Sequence, residues 1–220
     1  MDSIKKRKTV QGEMKNKERT MQRWLEAVGE VLREKGYSGL TTRNIVDKAG
    51  MDRRLISLYF GSVDKLIETY LDSVDYWKLR VSPKLESIIH NNAENFGEEE
   101  TVSILQTLFN EVYDSIDLQR IFSWQINEYH PSLRKLADER EAIGSPLLKL
   151  LDPHFENTGL EFRAMMALQL AGIYYMNAHA KVNGSTFCEV DINTEEGKQA
   201  VLKALKQLTH IIFESVKMNK

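Results

Sequence analysis

Cysteine occurs once in this chain of 220 residues, at Cys188, which excludes an internal disulfide and any multi-thiolate zinc site. Proline is scarce at four and glycine at twelve, so few positions force a helix to break. Long apolar runs are missing too. The longest, over 164–176, is interrupted by Gln169 and tyrosines and falls short of the roughly 20 residues that cross a bilayer. No basic-then-apolar leader opens the chain, and with a single thiol the expected compartment is a reducing cytoplasm. Catalytic signatures are also lacking: there is no G-x-S-x-G, no phosphate-cradling glycine loop, no H-E-x-x-H and no dinucleotide fingerprint. The histidines, His90, His130, His154, His179 and His210, lie far apart without metal-ligand spacing, and the acidic run Glu98-Glu99-Glu100 reads as a solvated loop and helix start. An enzyme, a cofactor and a metal centre are therefore not expected.

Net charge is close to balance at −2, but its distribution is uneven. Through Arg54 there are fourteen Lys and Arg against eight Asp and Glu, whereas the remainder carries sixteen against twenty-four. A basic first quarter suits a polyanion such as DNA, and an acidic remainder would be repelled by one and so orient the basic part toward it. An ordinary solvated charged surface is the alternative reading.

What is present is helical periodicity almost throughout. Ile4-Lys5-Lys6-Arg7-Lys8 has no apolar face and is expected to be a mobile basic arm, taken as residues 1–15. Trp24, Leu25, Val28, Val31 and Leu32 make the stripe of an amphipathic helix that Gly36 stops. Thr41 or Thr42 can cap a short second helix, with Ile45 and Ala49 inward and Gly50 at its end. Asp52 can cap a third, whose apolar side is Ile56, Tyr59 and Phe60. Two short helices joined by a glycine-containing turn have the pattern of a helix-turn-helix, and they need the first helix as a third wall because neither is stable alone. Ser62 and Asp64 open a fourth helix, striped by Leu66, Ile67, Tyr70, Leu71, Val74 and Trp77, expected to run to about Arg80 and break at Pro83.

Further helices are expected at 83–90, 99–115, 118–128, 131–151, 160–182 and 195–216, with loops at 91–98 and 183–194. The fold class is thus all-α: a three-helix head over 16–62 and a larger helical body over 63–220, about nine helices together. The last two helices are unusual. The first is rich in Ala, Gly and Met, and the second carries Val201, Leu205, Leu208, Ile212 and Val216, flanked by Leu202 and Ile211. So much apolar surface needs cover, which a twofold dimer through these helices or packing inside a monomer would supply.

Gly36-Tyr37, Thr41-Thr42-Arg43-Asn44-Ile45, Ala49-Gly50-Met51-Asp52 and Leu58-Tyr59-Phe60-Gly61-Ser62 with Leu66 resemble, in register without gaps over 24–66, the head of the TetR family of transcriptional regulators. The resemblance implies that Thr42 and Arg43 meet phosphate or a groove edge. It implies that Arg53, Arg54 and Leu55 face the major groove, with Ser57 and Tyr59 further along. Arginine is the usual bidentate donor to guanine, so Arg53 and Arg54 are the specificity candidates, with plain phosphate contact as the alternative. Ser57 and Val63 depart from the family, which usually places a tyrosine and a lysine there as phosphate contacts. Arg54, where the family often has a small residue, and the eight basic side chains from Lys5 to Arg23 are candidates to compensate.

The resemblance also implies a small-molecule pocket in the body. Candidate lining residues are Trp77, Tyr113, Trp124, Asn127, Tyr129, Met165, Met166, Gln169 and Tyr175, although such side chains at helical spacing are equally the stuff of a filled core. The expected function is a ligand-responsive dimeric repressor on a near-palindromic DNA operator, released by an effector that binds the two states unequally. A helical interaction protein of the same fold without operator binding is the second reading, and an all-helical enzyme a third.

Overall fold

The computed structural model describes residues 2–91, 97–184 and 186–218, and among them there are ten α-helices and no strand beyond one isolated bridge between Phe187 and Val190. The chain divides into two compact units, Met1–Ser73 and Val74–Lys220.

In the first unit α1 spans Asp2–Lys35, α2 Thr42–Ala49, α3 Arg54–Tyr59 and α4 Val63–Val74. The expected arm at 1–15 is, from Asp2 on, part of α1. Its Lys, Arg, Glu, Gln and Met residues are good helix formers, and they extend a helix nucleated by the packed turns after them. Trp24, Val28, Val31 and Leu32 are fully buried, as are Ile45, Ile56 and Leu66, so all four helices contribute buried apolar side chains. Thr41 is the residue that caps α2, accepting from Asn44 N at 3.2 Å, and Gly50 ends it with φ +66°. That left-handed conformation favours glycine. Asp52 accepts the Arg54 amide at 2.8 Å and opens α3, while Ser62 accepts from Lys65 N at 3.1 Å and opens α4. The fourth helix belongs to this unit because Leu66, Ile67, Tyr70 and Leu71 are buried in it. A side chain on Gly29 of α1 would come within 3.0 Å of the Tyr70 ring, so a residue without one lets α4 pack this closely.

In the second unit a π-helical turn, Trp77–Val81, and a 3-10 turn, Ser82–Lys84, lead into α5, Leu85–Asn91. The single helix expected to reach Arg80 is therefore interrupted, and the cause is Asp75. This residue is 1 % exposed and turns its carboxylate to Arg140, while its other oxygen accepts the Lys78 amide at 3.1 Å. Residues 92–96 of the expected first loop lie outside the described residues. Helices α6, Glu98–Asp114, α7, Ile116–Asn127, α8, Pro131–Phe155, α9, Phe162–Asn183, and α10, Glu195–Met218, complete the unit. Helix α8 continues through Pro146 and Pro153, four residues past its expected end at 151. Its inner face is held by Leu136, Leu151 and Phe155 in the core, which offsets the hydrogen bonds that proline cannot donate. Phe155 stacks on Phe162 at 4.0 Å, and Phe213 meets both edge-on, so α8, α9 and α10 share one aromatic knot. No described helix is long and apolar enough to cross a membrane.

Candidate functional site

The exposed edge of the first unit is built by two short helices whose other sides are buried. Ile45 and Ala49 anchor α2, and Ile56 anchors α3. Arg53, Arg54 and Ser57 are consequently exposed along one side, with Leu55 and Tyr59 half-buried beside them. Neither Arg53 nor Arg54 makes an ion pair with another described residue. Thr42 is half-buried at the start of α2, and Arg43 is exposed with Asp47 3.8 Å away one turn on. Such a fully solvated pair contributes little, so Arg43 is not held by it. Leu58, on α3, is 69 % exposed, which leaves an uncovered apolar side chain at this edge.

Arg23 is not part of this free positive charge. It donates to Glu30 at 2.7 Å and to the Lys48 carbonyl at 2.6 Å, satisfying a carbonyl at the end of α2, and Lys48 in turn pairs with Glu34 at 2.7 Å. Its hydrogen bond to Glu30 raises the arginine and holds that carboxylate below its usual range. Of the eight basic residues considered as compensating DNA contacts, this one is committed to clamping α1 against α2. Lys35 is likewise engaged, donating to Asn44, whose own amide donates to the Gly39 carbonyl.

A cavity of about 640 Å³ lies in the second unit, within the size range of small-molecule sites. Its walls are mostly apolar: Leu105, Leu147, Leu148, Leu151, Phe162, Met166 and Leu170 contribute. Three residues expected in a pocket, Trp77, Met166 and Tyr175, line it. The others lie elsewhere. Tyr113 stacks on Phe109 under the ammonium groups of Lys181 and Lys198, which stand 3.9 and 4.4 Å from its ring. Trp124 is buried against His130 and donates to Glu128, Asn127 is exposed and donates to the Ser123 carbonyl, and Tyr129 is exposed. Gln169 is buried and accepts from Thr209 of α10 at 3.3 Å, while Met165 packs half-buried on the core.

Sequence reading missed most of the polar lining: Thr101, Gln125, Arg140, Glu141 and Tyr174. Arg140 sits in the run Asp138-Glu139-Arg140-Glu141, which has the composition of a solvated helix face, so nothing marked it as buried. A signal did exist in Asp75, a lone carboxylate between Val74 and Tyr76 in an apolar stripe, which requires a buried partner somewhere.

Helices α9 and α10 carry Leu168, Leu208 and Ile211 at 74 %, 49 % and 65 % exposure, an apolar face left uncovered in the single chain. Beside Ile211, His210 bonds Glu98 at 2.7 Å and stands 3.9 Å from Glu214. Glu98 comes from α6 and the other two from one turn of α10, and these three are the described group whose ligand atoms lie within 4.8 Å of one another; Glu98 stands at the helix start expected for the acidic run and ties α6 to α10.

A four-helix first unit containing a helix-turn-helix with an exposed arginine edge, together with a helical second unit enclosing an apolar cavity, defines a helix-turn-helix protein. Residues 25–70 match the family model described as bacterial regulatory proteins, tetR family, so the first unit carries the TetR-family helix-turn-helix domain and the resemblance read from the sequence holds. Solved structures share the fold over nearly the whole chain. The fatty acid degradation regulator FadR from Bacillus halodurans superposes with TM-score 0.60 at 16 % identity, covering 88 % of this chain and 94 % of that one. A TetR family transcription regulator from Marinobacter aquaeolei gives 0.61 at 14 % identity, covering 92 % and 97 %. FadR from Bacillus subtilis, in complex with stearoyl-CoA, gives 0.58 at 16 % identity, covering 89 % and 96 %. No curated protein sequence matches the chain.

Proposed function

We propose that this protein is an effector-responsive transcriptional repressor that binds a near-palindromic operator as a twofold dimer in the cytoplasm. The observation that carries the reading is the pair of exposed guanidinium groups, without an ion pair among the described residues, of Arg53 and Arg54 opening α3, the second helix of a TetR-type helix-turn-helix. Residues at the start of such a helix reach base edges in the major groove, and Thr42, Arg43, Leu55, Ser57 and Tyr59 border it. Selection of bound sequences from a random DNA pool tests this directly. A two-half-site consensus with affinity falling steeply as salt rises is expected; salt-insensitive or absent binding would favour the interaction-protein reading instead. Arg53→Ala and Arg54→Ala are each expected to cost about 1–3 kcal/mol on the consensus. A loss confined to one base position identifies a base contact, and an equal loss on every sequence identifies a phosphate contact.

The uncovered face of α9 and α10 is the proposed dimer surface. Ile211→Glu places a charge on it, and sedimentation is expected to change from a dimer to a monomer whose far-ultraviolet dichroism is unaltered. A wild-type protein sedimenting as a monomer at micromolar concentration would overturn the dimer. The effector is proposed to occupy the cavity beside Trp77, Met166 and Tyr175, and the stearoyl-CoA complex of the Bacillus subtilis relative makes a long aliphatic compound the first class to try. Repression is relieved if that compound favours a state unable to hold both half-sites, and a ligand indifferent to the two states would change nothing.

A further inference from the structure

The cavity in the second unit has a polar end and an apolar end. At the polar end Arg140, 9 % exposed, donates from Nε to Asp75 Oδ2 at 2.6 Å and from Nη1 to Gln125 Oε1 at 3.1 Å, with its guanidinium 4.8 Å from the Phe122 ring centre. Among the described residues Nη2 has no acceptor. Nearby, Trp77 Nε1 donates to the Tyr174 hydroxyl at 2.9 Å. Burial pushes that hydroxyl above its ordinary value, so it keeps its proton as a further donor. The other end is formed by Leu147, Leu148 and Leu151 of α8 and by Phe162 and Met166 of α9. Leu151 lies eleven residues after Arg140 on the same helix, about 16 Å along its axis. A narrow, single-chain amphiphile fits this gradient, and the idle donor of Arg140, the cation among the lining residues, selects the sign of its head group, while Glu141, next to it on α8, lines the cavity as an exposed carboxylate.

Building on the effector reading above, we infer that the cavity takes a long-chain carboxylate whose head group pairs with Arg140 in the place that Asp75 occupies in this structure. Asp75 is then an internal stand-in for the effector. A ligand carboxylate that takes Nε and the idle Nη2 together displaces Asp75 from Nε, so binding releases Asp75, which directly follows α4 and caps the π-helical turn through the Lys78 amide. A buried ion pair exchanged for another preserves charge compensation while changing which backbone segment is held.

The test compares hexadecanoate, hexadecanol and hexadecanoyl-CoA binding to the full-length protein by calorimetry. The acid is expected to bind wild type at least about tenfold more tightly than the alcohol, the scale of a charge-assisted contact. Arg140→Gln should erase that preference. Asp75→Asn removes the competitor while keeping shape, so it should tighten the acid several-fold and leave the alcohol unchanged, and this arm stands even if the Arg140 variant fails to fold. Equal affinity for acid and alcohol, a preference that survives Arg140→Gln, or binding of the thioester alone would overturn the carboxylate assignment while leaving a long-chain effector in place. Failure of all three chains to bind would remove that effector class as well.

Discussion

Asp75→Ala is expected to destabilise the second unit by about 3–5 kcal/mol, the cost of leaving a buried charge without its counter-ion. The carboxylate is 1 % exposed and 2.6 Å from Arg140 Nε, so its removal strands a guanidinium that retains one neutral acceptor, Gln125. The Lys78 amide loses its acceptor in the same step. Urea unfolding followed by the fluorescence of Trp77 and Trp124 measures the loss. The paired replacement Asp75→Leu with Arg140→Met should cost much less than Asp75→Ala, because two apolar side chains of similar volume need no compensation. A cost below about 1 kcal/mol for the single variant, the range of solvated pairs, would mean that water reaches the pair and that it is no internal constraint.

Trp24→Ala is expected to cost about 3–5 kcal/mol and to abolish DNA binding while the second unit keeps its structure. The indole is fully buried where α1 meets the helix-turn-helix pair, and α2 and α3, eight and six residues long, have no stability without that wall. Among the described residues its Nε1 has no hydrogen-bond partner, so Trp24→Phe gives up volume but no hydrogen bond and should retain most of the stability. Operator binding together with the thermal transition of each unit checks both variants. Operator affinity preserved in the alanine variant would show that the head does not depend on this contact.

The helical elements of the head were readable because each signal there is local. Caps at Thr41, Asp52 and Ser62, stops at Gly36 and Gly50, and the apolar stripe from Trp24 to Leu32 act within one or two turns. The division between the units, at Ser73 rather than after residue 62, was not readable, since α4 is amphipathic whichever side covers its stripe. The extension of α1 back to Asp2 was hidden for a related reason: an all-polar segment shows no periodicity, yet its residues follow a helix once one exists.

The cavity divides in the same way. Trp77, Met166 and Tyr175 were suggested by residue type, but so were Tyr113, Trp124 and Asn127, which the packing placed outside it. Residue type states what a side chain can line and not which way its helix is rotated. The sequence alone therefore determined an all-helical chain, a basic helix-turn-helix with arginines at the head of its last short helix, and apolar C-terminal helices in need of cover. Only the tertiary structure decided that Asp75 breaks the fourth helix to reach Arg140, that Arg23 is spent on tying α1 to α2, and that one arginine in an acidic run lies at the polar end of a cavity. Local patterns arise from contacts within a few residues, whereas the partner of a buried charge 65 positions away is chosen only when the helices between them have packed.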